Sequence, residues 1–170
     1  FSLSTDTVFV DAISKSDEDF DKDIDYIQSN ERIFTKLSNQ LALNSMVKSV
    51  YLYTPSGEMH YVNYQDPVDN TVYPSAEKWY QRAMVNRESF FLAPHADQQS
   101  LNKTKIICSY VAPVEIRGEN SKDAAAVIVI NFLPDEFYKR LIVSDEKHTV
   151  AALITGEGSL ITKKGYAGTD

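Results

Sequence analysis

The sequence predicts an α+β domain: one long helix, then a five-stranded antiparallel sheet with short helices. Three observations lead there. Apolar residues recur every seven places as Ile13, Phe20, Ile27, Phe34 and Leu41, with Ile24 and Leu37 beside them. No Pro or Gly interrupts residues 6–44, so this stretch reads as helix. Beyond residue 46 the pattern changes to short β-rich runs separated by turn residues, and five such runs joined mostly as hairpins favour an antiparallel sheet.

The elements follow in order. A helix over 6–44 rises about 1.5 Å per residue and overhangs a domain of this size. Val47, Val50, Tyr51, Leu52 and Tyr53 form the first strand, which ends at the turn Thr54-Pro55-Ser56-Gly57. Glu58 to Tyr64 returns as its partner. Residues 65–73 read as loop. A short helix is expected from Ser75, a suitable cap, to Asn86, with Trp79/Ala83 and Tyr80/Met84 as i,i+4 pairs. Three strands follow at Phe90–His95, Lys105–Ile116 and Ala124–Phe132, the last two joined by Arg117-Gly118-Glu119-Asn120-Ser121-Lys122. Pro134 opens a last short helix, with Asp135 and Glu136 in its first turn and Lys139 and Arg140 in its last, matching the helix dipole.

The tail repeats an earlier pattern. Ala151 to Leu160 aligns with Val50 to Met59, with Leu, Thr and Gly matching in place. Either two hairpins resemble each other, or a second sheet module begins near residue 149. The expected division is a helix over 1–46, a sheet module over 47–146 and a C-terminal hairpin over 147–170. Phe1 stands where a Met would start a chain, so an excised fragment is expected.

The 170 residues are 43% hydrophobic, enough for a core, and no apolar run reaches the roughly 18 residues that span a bilayer. The net charge is −7, and it is localised. Residues 1–31 hold nine acids against Lys15 and Lys22, while the remaining 139 residues hold fifteen of each sign. An acidic helix repels phosphate and no basic stripe offsets it, so nucleic-acid binding is not expected.

Chemistry-bearing patterns are sparse. His60, His95 and His148 are far apart and lack partners at metal-ligand spacing. Cys108 is alone in an apolar run, which allows neither an intrachain disulfide nor a Cys-based metal site. No nucleophile elbow, phosphate-cradling glycine loop or H-E-x-x-H motif is present. Catalysis, a cofactor and a metal are therefore not expected of this segment. The inventory is instead aromatic: ten Tyr, eight Phe and one Trp. Trp79 reads either as a core anchor or as a ligand wall, with Tyr80 supplying a hydroxyl. Tyr51, Tyr53 and Tyr110 lie on strands, and Pro94-His95-Ala96-Asp97 ends a strand where polar groups converge.

The order of elements resembles a Cache domain, the PAS-like extracytoplasmic sensor module of bacterial receptors. The resemblance rests on the long helix, on Val50-Tyr51-Leu52-Tyr53-Thr54-Pro55-Ser56-Gly57, and on Lys78-Trp79-Tyr80-Gln81-Arg82-Ala83. Phe91-Leu92-Ala93-Pro94-His95 and Val127-Ile128-Val129-Ile130-Asn131-Phe132 follow in matching places. It implies a PAS-like five-stranded sheet that holds a small ligand between its face and the short helix with its adjoining loops. Ligand contacts would then fall on Trp79, Tyr80, Tyr51, Tyr53, Tyr73, His95, Tyr110 and Asn131. It further implies flanking membrane segments and a homodimer through the N-terminal helix. The expected parent is a two-component sensor histidine kinase, with a chemoreceptor or other membrane-bound regulator as the alternative. A ligand-free interaction module is the reading from a different class.

The chain departs from the amino-acid-binding subgroup of that family at two places. Glu77 stands where an Arg would hold the carboxylate, and Asn131 where an Asp would hold the ammonium. An acid in place of the cation removes the charge-assisted pair that a carboxylate needs. An α-amino acid held in that pattern is therefore not expected. Sugars, organic acids bound otherwise, a peptide, or no ligand remain.

Overall fold

Hairpin chemistry and strand burial set the architecture. The computed structural model describes residues 24–43, 45–63, 65–101, 105–115, 124–141 and 150–165. In chain order the elements are α1 (Ile24–Leu43), β1 (Val47–Tyr53), β2 (Met59–Asn63), α2 (Lys78–Asn86), β3 (Phe90–Ala96), β4 (Ile106–Val114), β5 (Ala126–Phe132), α3 (Pro134–Arg140), β6 (Val150–Ile154) and β7 (Leu160–Gly165). The expected helix over residues 6–23, including Ile13 and Phe20, lies outside the described residues, as do the side chains of Ile24, Ile27 and Leu41 and the loop over 117–122.

The first five strands form one sheet in the order β2-β1-β5-β4-β3, every neighbouring pair antiparallel. This is the α+β, PAS-like sheet that the sequence predicts. Both faces are covered, which is why the central strands β1 and β5 are buried at every position and show no polar alternation. One face carries Val50, Leu52, Cys108, Val114, Ile128 and Ile130 against Ile33 and Leu37 of α1. Ile161 of β7 and half-buried Phe137 of α3 join this core. The other face carries Tyr51, Tyr53, Val111, Val127 and Val129 against Tyr80, Ala83 and Met84 of α2.

Of the heptad ladder only Phe34 has a described side chain, and it is 53% exposed, whereas Ile33 and Leu37 on the same helix are fully buried. An i,i+4 pair occupies one stripe of a helix, and the next residue along points about 100° away. Ser75 does not cap α2, which begins at Lys78 with Glu77 in the cap position and no side-chain cap bond. Ser75 lies in the preceding turn, where its carbonyl accepts a hydrogen bond from Gln81 Nε2 at 2.7 Å.

The two hairpins that look alike in sequence close through the same turn. Gly57 N–H bonds Thr54 O at 3.1 Å, and Gly158 N–H bonds Thr155 O at 2.9 Å. Both glycines have positive φ, 95° and 83°, which only Gly adopts without strain.

Candidate ligand-binding cavity

The tyrosine-bearing face of the sheet is not sealed. Between it, the β2–α2 loop and the start of α2 lies a cavity of about 490 Å³. Its floor comes from alternate residues of three strands, Tyr51 and Tyr53 of β1, Val129 and Asn131 of β5, and Ile107 and Ser109 of β4, and from Leu92 to His95 of β3, where the ladder with β4 is irregular. Val72, Tyr73, Pro74, Glu77 and Trp79 form the opposite wall, and Asp97, Gln98 and Gln99 close one end.

Aromatic rings dominate one side. Tyr53 sits at their centre, with Tyr73, Trp79 and Tyr80 edge-on at centroid distances of 5.7, 6.1 and 6.3 Å, and Tyr51 stacked at 6.3 Å. Such edge-on contacts suit the ring quadrupoles. The Tyr73 hydroxyl donates to Thr54 O, so the Tyr80 hydroxyl, 3.0 Å away, is the donor to Tyr73. Burial pushes the Tyr53 hydroxyl far above its ordinary pKa, so it stays neutral.

A polar chain crosses the floor. Ser109 Oγ donates to Asn131 Oδ1 at 2.6 Å, and Asn131 Nδ2 donates to Ser49 Oγ at 3.0 Å. His95 Nε2 lies 3.3 Å from Ser109 Oγ, and His95 Nδ1 lies 2.7 Å from Ala93 O. A carbonyl only accepts, so Nδ1 carries a proton. Both ends of the Asn131 amide are thus engaged by neighbouring strands.

Beneath the closed end lies a buried charge network. A bulge in the β1–β5 ladder leaves Lys48 as the extra residue, since Val47 pairs with Phe132 and Ser49 with Asn131. The Lys48 side chain has no exposed surface, and its ammonium contacts Asp97 Oδ2 and lies 2.9 Å from Asp66 Oδ2. Lys105 Nζ adds a 2.9 Å contact to Asp66 Oδ1. Burial alone would lower the Lys48 pKa, but the bonds to Asp97 and Asp66 outweigh it and raise it. For Asp66 burial opposes ionisation, and the bonds to Lys48 and Lys105 overcome it and lower the pKa. Asp97 Oδ1 also accepts the Gln99 N–H at 3.1 Å.

Gln99 is only 6% exposed. Its Nε2 donates to Val72 O at 3.2 Å and to Tyr53 Oη at 2.7 Å. Its Oε1 has no partner among the described residues.

Of the aromatic and polar residues singled out in the sequence, Tyr51, Tyr53, Tyr73, Trp79, His95 and Asn131 line the cavity. Tyr80 is buried behind Tyr53 in the α2 core. Tyr110 packs on the opposite face of the sheet, its ring 5.0 Å from Phe91. Lys48, Asp66 and Gln99 were not singled out. The only signal for Lys48 was a lysine inside the apolar run of β1.

Folds of this kind exist among solved structures. The ligand-binding domain of the Pseudomonas fluorescens chemoreceptor CtaA, in complex with L-serine, matches with a TM-score of 0.57 at 14% identity, over 94% of this chain and 67% of its own. The Campylobacter jejuni chemoreceptor Tlp3 domain in complex with 4-methylisoleucine matches with a TM-score of 0.59 at 13% identity, over 94% and 61%. The Pseudomonas aeruginosa amino acid chemoreceptor PctB domain in complex with L-Gln matches with a TM-score of 0.56 at 14% identity, over 94% and 60%. This chain has the fold of a chemoreceptor ligand-binding domain. The Cache-like architecture implied by the sequence resemblance is the one observed. The chain spans about two thirds or less of the length of these domains. No protein-family model matches the sequence, and neither does any curated protein.

Among the described residues no cluster of His, Cys, Asp and Glu is arranged to hold a metal ion, and no helix is long and apolar enough to cross a membrane.

Proposed function

We propose that this chain is the extracytoplasmic ligand-sensing part of a membrane-bound bacterial receptor, and that its small-molecule ligand occupies the cavity between the sheet and α2. The observation that carries this reading is the cavity itself. A module built only for packing would fill that face with side chains, whereas here about 490 Å³ stays open, with aromatic walls and a few polar groups. The fold shared with chemoreceptor ligand-binding domains supports the same reading. Two outputs suit such a sensor: the kinase of a two-component system, or a chemoreceptor signalling domain. The parent would span the membrane through segments flanking this chain.

Signalling would proceed by population shift. Ligand favours the state in which α2 and the Tyr73 loop close on the sheet, and α1, which packs on the sheet's other face, carries the change to a partner protomer. We place the dimer contact on the segment that precedes α1, around Ile13 and Phe20. Light scattering of the isolated chain would show a dimer, and a monomer at every concentration would remove that part.

A thermal-shift screen of sugars, amines, organic acids and amino acids tests the sensing reading, because a ligand that binds only the folded state raises its stability. A hit should lose affinity in Trp79→Ala by roughly tenfold or more, since the indole is a wall of the cavity. A chain that responds to no compound class, with Trp79→Ala leaving signalling in the full receptor unchanged, would refute the reading.

A further inference from the structure

The charge and hydrogen-bond inventory of the cavity is lopsided. Among the described residues lining it there is no Lys or Arg, while Glu77 and Asp97 both line it. The nearest buried cation, Lys48, is held by two carboxylates, and Lys105 is held by Asp66. Each end of the Asn131 amide already makes one bond. Among the described residues lining the cavity one buried acceptor is left without a partner. Gln99 Oε1 is buried and unpartnered, and its identity is fixed because the opposite amide atom donates to the Val72 carbonyl. Among the described residues Asp97 Oδ1 has one bond, from the Gln99 N–H, and a carboxylate oxygen accepts a second. Beside these acceptors stand the rings of Tyr53, Tyr73 and Trp79, whose faces attract cations.

We infer that the ligand is a small organic amine without a free carboxylate: an ammonium group donating to Gln99 Oε1 and Asp97, and an apolar body against Trp79 and Tyr73. This rests on the sensing reading above and names the ligand class of the same cavity. A carboxylate entering this space would be desolvated beside Asp97 and Glu77 with no cation to receive it, and such burial is unfavourable unless the charge is paired. An ammonium is attracted by both of those carboxylates. The inference separates this cavity from those of the neighbours solved with amino acids, in which a ligand carboxylate is accommodated.

Matched pairs that differ only in the carboxylate make the test: 2-phenylethylamine against L-phenylalanine, isoamylamine against L-leucine, and ethanolamine against L-serine. Each is titrated calorimetrically into the 170-residue chain, with mannitol and glucose as uncharged controls. The expected result is that at least one amine binds and that its amino acid binds more than about tenfold more weakly. Glu77→Gln, at an exposed position that makes no cap bond, should leave folding intact and weaken amine binding severalfold through the lost charge. Gln99→Leu should abolish amine binding. An amino acid that binds as well as its amine, or a panel in which only uncharged or carboxylate compounds bind, overturns the amine assignment and leaves the sensing reading in place. A Glu77→Gln variant whose amine affinity is unchanged counts against the assignment too. No binding by any class overturns both.

Discussion

At the scale of single residues, Lys48 decides most. Lysine is almost never fully buried unless paired, so its place inside the apolar run Val47 to Tyr53 gave no warning of its role. Its partners come from 18 and 49 residues downstream, and only the fold brings them together. The aromatic residues were easier to read, since a Tyr two places from another on a strand shares its face, as Tyr51 and Tyr53 do. Tyr110 broke that logic because nothing in the sequence says which face of β4 meets the cavity; the register with Asn131 and Ile130 decides it. Replacing Lys48 by Met leaves Asp97 and Asp66 buried beside an apolar chain. Removing one partner of a buried ion pair costs about 3–5 kcal/mol. Urea unfolding at pH 7 should show a loss of that size. A loss below about 1 kcal/mol, the range of an exposed pair, would mean that the network is solvated.

At the scale of elements, hairpins and helix types were legible because each has a local cause. Thr54-Pro55-Ser56-Gly57 turns wherever it is placed, and Pro134 followed by two acids starts a helix on dipole grounds alone. The rotation of α1 about its own axis was not legible. A seven-residue repeat allows more than one buried stripe, and contact with β1 and β2 selects the one through Ile33 and Leu37. The two stripes respond differently to truncation. Leu37→Ala should destabilise the chain by about 2–5 kcal/mol, as a large-to-small change in a packed core does. Phe34→Ala should move stability by no more than about 0.5 kcal/mol in the monomer. Chemical denaturation of the two variants side by side checks the assignment, and equal losses would place Phe34 in the core after all.

At the scale of the whole molecule, the sheet separates two tasks. One face is a packed core that anchors α1, and the other is kept partly open beneath α2. The charge network links them, because β1 carries Lys48 just beyond the end of α1 and Lys48 grips Asp97 at the cavity. Its titration should therefore be visible in global stability. The Asp66 carboxyl is held below its ordinary 3.8 when folded, so its contribution is complete above that value and is lost as pH falls through the folded pKa. The Lys48 ammonium is held above its ordinary 10.5, so its contribution is complete below that value and is lost as pH rises through the folded pKa. From these two groups, stability should be flat between roughly pH 4 and 10 and should fall beyond either limit. Lys48→Met weakens the acid side. The Asp66 carboxyl then keeps only its bond to Lys105, so protonating it costs the folded state less than in the parent chain. The gap in stability between the variant and the parent chain should narrow as pH drops from 7 towards 3, measured by urea unfolding at each pH. A gap that stays constant over that range would show that the carboxylates do not depend on Lys48, and that the link from α1 through β1 to the cavity runs through packing alone.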